Sequence, residues 1–250
     1  MINSVRNTVL SILNKNNYGY ISPSDFNLLA LQAQMELFEE YFSSYNKTIN
    51  MENARMAGTE YANIEKNIAE VLESFLRNDF LTQVSPLTNE YYLPSLTTTG
   101  YNNYMISRLT CYDPNTSLRL KDVEKVNNGR INLLLDSPLT APNLQYPAYI
   151  IEGEKVIVYP EIINGVNSLK CSYFRTPTPP KWTYINLLNG EPAFDQTQPD
   201  YQDFELPAED EYKLVTKILE YCGVEIREFE VSQFGTAQQQ HEEPTFSQQQ

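Results

Sequence analysis

Ile21-Ser22-Pro23-Ser24-Asp25-Phe26-Asn27-Leu28-Leu29-Ala30 holds the most complete helix-start signal of the chain. Ser22 can cap the helix, Pro23 suits the first helical position because no hydrogen bond is lost there, and Asp25 sets a negative charge at the positive end of the dipole. Ile21 and Phe26 are spaced as a hydrophobic staple. Phe26, Leu29, Ala30, Ala33, Leu37, Tyr41 and Tyr45 then recur at helical intervals. They predict a rod of about 24 residues and roughly 36 Å.

Working outward, Ile2, Val5, Val9, Ile12 and Leu13 predict a shorter helix, broken by Asn16, Asn17 and Gly19. Downstream, Asn46 to Asn50 read as a break. A third helix carries Ala54, Ala57, Tyr61, Ile64, Ile68, Val71, Leu72 and Phe75 on one face. The two long helices are expected to lie antiparallel and bury these faces on each other.

After Phe80 the pattern changes to short Tyr-, Leu- and Pro-rich segments, which fit strands and loops. Residues 122–137 fit either a helix interrupted at Asn127-Asn128-Gly129 or two strands turned at Asn128-Gly129. Tyr149–Ile151 and Val156–Tyr159 flank Glu152-Gly153-Glu154-Lys155, which reads as a hairpin, and Leu169 to Phe174 adds a third antiparallel strand. Pro177, Pro179 and Pro180 force extended backbone. Residues 183–206 have aromatic residues but no period. A last helix begins near Pro207 and runs through Val215, Ile218, Leu219 and Cys222 to Gly223, with Glu209-Asp210-Glu211 in its first turn.

The expected fold class is α+β. An N-terminal helical bundle with long antiparallel helices occupies residues 1–80, and a β-rich region with a small antiparallel element occupies 81–182. An extended aromatic arm follows at 183–206. A C-terminal helical region at 207–236 returns to the bundle, and a flexible Gln-rich tail closes the chain at 237–250.

Composition narrows the chemistry. The chain has 250 residues, of which 41% are hydrophobic, enough for a real core. Its net charge of −14, with 18 basic against 32 acidic residues, opposes gripping nucleic acid through phosphates. No apolar run of membrane-spanning length and no secretory leader pattern occurs, so a soluble protein without a signal peptide is expected. Cys111, Cys171 and Cys222 are widely spaced and read as buried small hydrophobes.

The single histidine, His241, lies in the Gln-rich tail, so histidine-based triads and multi-histidine metal sites cannot form within one chain. No phosphate-cradling glycine motif occurs. Carboxylate neighbours at Glu39-Glu40, Glu152 with Glu154, and Glu209-Asp210-Glu211 read as solvated faces and turns. Asp113, Asn115, Ser117 and Glu124 fall at positions 1, 3, 5 and 12 of a calcium-loop template. Leu118 stands where the loop needs glycine, so the plain turn explains them better. No catalytic, cofactor or metal site is expected. The 18 tyrosines, 11 phenylalanines and one tryptophan carry more information, because Tyr tolerates water before assembly and packs well after it. Trp182, Tyr184, Phe194, Tyr201 and Phe204 are the candidate subunit-contact residues.

Three stretches share a resemblance. They are Ile2 to Arg6 with Asn16 to Asn27; Tyr146 to Tyr149 and Val156 to Pro160 with Tyr173 to Trp182; and Asp203 to Pro207 with Ile218 to Glu228. In this order they resemble the head-to-tail connector, or ring, proteins of short-tailed, crAss-like bacteriophages, over most of residues 1–230. The resemblance implies a virion protein assembled in the bacterial host cytoplasm, a ring of twelve copies that bridges the portal protein and other tail rings. DNA would pass through its channel without specific binding. It implies no membrane partner, cofactor or reaction. The alternatives are another non-catalytic tail or internal virion protein, or a carboxylate-dependent carbohydrate-active enzyme.

Overall fold

The structure is a computed structural model, and it describes residues 1–15, 20–53, 62–113, 118–188 and 190–225. Two compact units are present. One joins residues 1–71 with 177–250, and the other spans 72–176. The division therefore falls elsewhere than at the expected residues 80 and 182.

In the first unit, α1 (Ile2–Lys15) buries Ile2, Val5, Val9 and Leu13 completely, the stripe expected from their spacing. Helix α2 (Pro23–Asn53) begins where the sequence places it. The Asp25 backbone N–H donates to Ser22 Oγ at 3.2 Å, and Ile21 and Phe26 are both buried beside this cap. Beyond the expected stripe, α2 also buries Phe38 and Phe42, whose rings meet edge to face at 5.0 Å. Helix α5 (Glu211–Glu225) follows a 3₁₀ turn at Ala208–Asp210 and packs against both α1 and α2 through Leu214, Ile218, Leu219 and Cys222.

The second unit is a seven-stranded sheet. Its strands are β1 (Leu76–Phe80), β2 (Glu90–Tyr92), β3 (Asn103–Tyr112), β4 (Arg119–Lys125), β5 (Ala148–Glu152), β6 (Lys155–Tyr159) and β7 (Leu169–Arg175), in the order β1-β7-β3-β4-β5-β6-β2. All neighbours are antiparallel except β4 and β5. That parallel step needs a crossover, and α4 (Asn128–Leu135) supplies it, laying Ile131 on Ala148 and Ile150. The β5–β6 hairpin pairs Glu152 with Lys155, and Gly153 at φ +59° permits the two-residue turn. Leu109, Cys111, Val156, Val158, Leu169 and Tyr173 form the centre of the sheet's core.

The expected fold class is corrected by this architecture. An N-terminal bundle of long antiparallel helices with a small β insertion is not what forms. The seven-stranded sheet is the largest assembly, and among the described helices α1, α3 (Ala62–Ser74), α4 and α5 have only 14, 13, 8 and 15 residues. Only α2, at 31 residues, is long, and it packs on α5. It also runs through the expected break at Asn46 to Asn50, because asparagine costs a helix about 0.7 kcal/mol or less per residue and does not stop it as Pro would. The strand β7 is antiparallel as expected, but it lies between β1 and β3 instead of extending the β5–β6 hairpin. Residues 122–137 are neither of the two forms read from sequence: β4 ends at Lys125, Asn127 is extended, and α4 starts at Asn128.

Several readings fall outside the described residues: the break at Asn16 to Gly19, the start of the third helical stripe at Ala54 to Tyr61, and the template positions Asn115 and Ser117. The part of the expected C-terminal helical region beyond Glu225, His241 and the Gln-rich tail also lie outside them. Among the described residues, no helix is long and apolar enough to cross a membrane.

Candidate functional site

Four of the five aromatic residues singled out in the sequence converge on one stack in the first unit. The Trp182 ring lies nearly parallel to Tyr184 at 5.6 Å and to Phe194 at 5.9 Å, and Phe194 meets Tyr201 edge to face at 5.9 Å. A short hairpin makes this possible: β8 (Tyr184–Asn186) pairs with β9 (Pro192–Phe194), placing Tyr184 opposite Phe194. The region expected to be an extended arm therefore folds back on its own unit.

The stack is fastened to the two N-terminal helices. The backbone N–H of Trp182 donates to Asn27 Oδ1 at 2.8 Å, and Asn27 Nδ2 donates to the Trp182 carbonyl at 3.2 Å. The indole Nε1 donates to Asn3 Oδ1 at 3.1 Å. The Arg6 guanidinium covers the ring. Trp182 is consequently only 2% exposed, and Phe204 is buried as well. Both are taken up by the chain's own core in the single copy, so neither stands free as a contact residue. Tyr184 stays 42% exposed, while Phe194 and Tyr201 are half-buried.

The charges around the stack serve the fold. Burial lowers the pKa of Arg6, an effect partly opposed by Tyr20, and its Nε and Nη2 are buried without a hydrogen-bond partner. The Asp203 carboxylate accepts from the backbone N–H groups of Ile2 at 2.7 Å and Phe204 at 2.8 Å, and pairs with the Met1 amino group at 3.0 Å. Burial alone would raise its pKa, but these donors more than compensate and hold it below the ordinary range.

A second cluster joins α2 to α5. Lys217 is almost fully buried and reaches Glu36 at 2.9 Å and Glu40 at 2.6 Å, while Tyr221 donates to Glu36 at 2.5 Å. Burial works against the Lys217 charge, yet the two carboxylates raise its pKa above the usual value. Glu36 is pushed up by burial and pulled down further by Tyr221 and Lys217, so it ends low. The carboxylate groups read from sequence are thus separated. Glu40 pairs with Lys217, buried Asp210 accepts from Tyr41 and pairs with Lys213, and Glu152 and Glu154 are exposed beside the hairpin turn.

Two open clefts indent the second unit. One, of about 430 Å³, lies beside α4 and is lined in part by Glu124, Lys125, Arg130, Leu139 and Tyr146. The other, of about 610 Å³, lies among Tyr92 to Thr98, Asn102, Asn103 and the Gly153-Glu154 turn. Each contains a single carboxylate, so neither presents the carboxylate pair that glycoside hydrolysis uses. Among the described residues, no three His, Cys, Asp or Glu side chains gather as a metal set.

Sequence reading missed Asn3, Arg6 and Asn27 as partners of Trp182, since they lie 155 or more positions away and carry no local signal. It also missed two leucines left in water, for which apolar residues beside turn-forming residues, as in Leu188-Asn189-Gly190 and Leu139-Thr140-Ala141-Pro142, were the signal. Leu188 is 107% exposed at the β8–β9 turn and Leu139 is 97% exposed after α4. No protein-family model and no curated protein matches the chain.

Proposed function

We propose that the chain is a structural virion protein that forms a ring, of twelve copies, in the head-to-tail connector of a tailed bacteriophage. It bridges portal and tail around the DNA channel and assembles in the host cytoplasm. The observation that carries this reading is the apolar surface that one copy leaves in water: Leu87, Leu133, Leu139, Tyr146, Val166 and Leu188 are all strongly exposed. Isolated apolar residues on a surface are ordinary, but this many large ones left in water, on both units, favours contact with other protein. The three stretches that resemble connector proteins support the same reading.

The mechanism is geometric, and no bond is made or broken. Identical copies meet through unlike patches and close a ring. The net charge of −14 keeps the protein from holding the phosphates of DNA that must slide past it.

Light-scattering mass of the purified chain, alone and mixed with a portal protein purified from the same source, tests the proposal when read with electron micrographs. Annular particles with an open centre are expected in at least the mixture. A chain that stays a single copy in both samples and hydrolyses a glycoside overturns the reading.

A further inference from the structure

Each copy carries two unlike surfaces, a convex apolar tip and a concave cleft of mixed apolar and polar lining. The convex one is the β8–β9 tip. There the Leu187 N–H donates to the Glu191 carbonyl at 2.9 Å and the Gly190 N–H donates to the Leu187 carbonyl at 2.8 Å, with Gly190 at φ +79°. This tight reversal lifts Leu187 and Leu188 outward. Turn chemistry favours Gly, Asn, Asp and Ser at such places, yet here the Leu188 side chain is fully wetted and that of Leu187 half so, at a free-energy cost.

The concave surface is the cleft beside α4. Its walls include Leu134, Leu139, Pro142 and Tyr146, with Val126 and Ala148 also lining it. Its volume falls in the range of about 300–1,000 Å³ that buries ligand-sized apolar groups. Lys125 and Arg130 line it together with Glu124. Among the described residues neither cation has an ion-pair partner, and the exposed Glu191 beside the tip has none either.

We propose that the Leu187–Leu188 tip of one copy seats in the α4 cleft of a second copy, with Glu191 facing Lys125 and Arg130. The apolar tip lies against the apolar part of the cleft wall, at Leu134, Leu139, Pro142 and Tyr146, and the acidic group that flanks it meets the two cations on the polar part. Glu124 opposes this approach, so the cleft is cationic by one charge. Because tip and cleft are different patches, the contact is heterologous. Each copy then offers one tip and one cleft, which propagates contact from copy to copy instead of stopping at a pair. The inference rests on the ring reading and names the contact that joins neighbours within it.

Sedimentation of the full chain over a wide concentration range, with Leu188→Asp and Leu139→Asp, tests the contact. Both side chains lie in water, so both variants are expected to fold, which thermal melting checks. The unaltered chain is expected to self-associate, and each variant to weaken this by at least about tenfold, as loss of a central apolar anchor does. An equimolar mixture of the two variants retains one intact tip and one intact cleft, and is expected to form pairs and nothing larger. Self-association that survives Leu188→Asp overturns the tip-in-cleft contact while leaving the ring reading in place. A chain that never self-associates also overturns it, and the ring reading then rests on its binding to the portal protein.

Discussion

The guanidinium carbon of Arg6 lies 3.8 Å from the centroid of the Trp182 ring, joining the first helix to a tryptophan 176 positions further along the chain. A contact of this length and burial is a fastening of the fold, and it gives Trp182 a role different from that of exposed Tyr184. Trp182→Ala is therefore expected to lower the unfolding free energy by about 3–5 kcal/mol, the range for emptying a large aromatic site. Tyr184→Ala, which removes one partner of the stack at a partly exposed position, is expected to lower it by about 1 kcal/mol. Urea unfolding of both variants checks this, and equal losses would contradict it.

The α2–α5 seam gives a pH dependence with a defined sign. Glu36 has a lowered folded pKa, so its contribution is complete above its unfolded value and disappears as the pH falls through the folded one. Lys217 has a raised folded pKa, so its contribution is complete below its unfolded value and fades only as alkali passes the folded one. Glu36→Gln is expected to be less stable than the unaltered chain at pH 7, with the difference shrinking as the pH is lowered from 7 to 3. Urea midpoints across that interval provide the check, and a difference independent of pH would refute it.

Removing the buried cation is expected to be milder than breaking a fully enclosed ion pair. Lys217→Met leaves Glu36 and Glu40 partly exposed to water, so the loss is expected at about 1–3 kcal/mol. A loss above about 5 kcal/mol in chemical denaturation would show that the carboxylates cannot rehydrate.

Asp203 acts on the start of α1 as a distant cap. Asp203→Ala removes the acceptor of the Ile2 and Phe204 N–H groups and is expected to cost about 1–2 kcal/mol. Amide exchange at Ile2 is expected to quicken relative to the centre of α2. Unchanged exchange at Ile2 would mean that another group holds that end.

The three cysteines are buried, and burial first, then Asp122 or Asp79 respectively, pushes the Cys111 and Cys171 thiols up to about 12. Thiolate is the reactive form, so a water-soluble thiol reagent at pH 8 is expected to leave the native chain unmodified and to label all three residues after denaturation. Rapid labelling of Cys111 or Cys171 in the folded chain would contradict their placement in the sheet.

How far the sequence could be read depended on how local each signal was. The start of α2 was legible because Ser22, Pro23, Asp25, Ile21 and Phe26 act within six positions, and the β5–β6 hairpin because Gly153 and its flanking strands are contiguous. The sheet's extent was not. Strand β1 reads Leu76-Arg77-Asn78-Asp79-Phe80 and looks like the end of a helix until it pairs with β7, nearly a hundred positions away. Strand β4 exposes all but Val123, so no alternation marks it. The aromatic residues were read as subunit contacts on an arm, and that four of them stack on one another was not legible, because Asn3, Arg6 and Asn27 decide that Trp182 faces inward, and nothing near Trp182 announces them.

Gold-labelled antibody against the chain, applied to phage particles purified from bacterial cultures that produce it, measures the central claim most directly. The account predicts label at the junction between head and tail in intact virions and on isolated tail complexes. Label absent from virions while the chain is abundant in infected cells would contradict it.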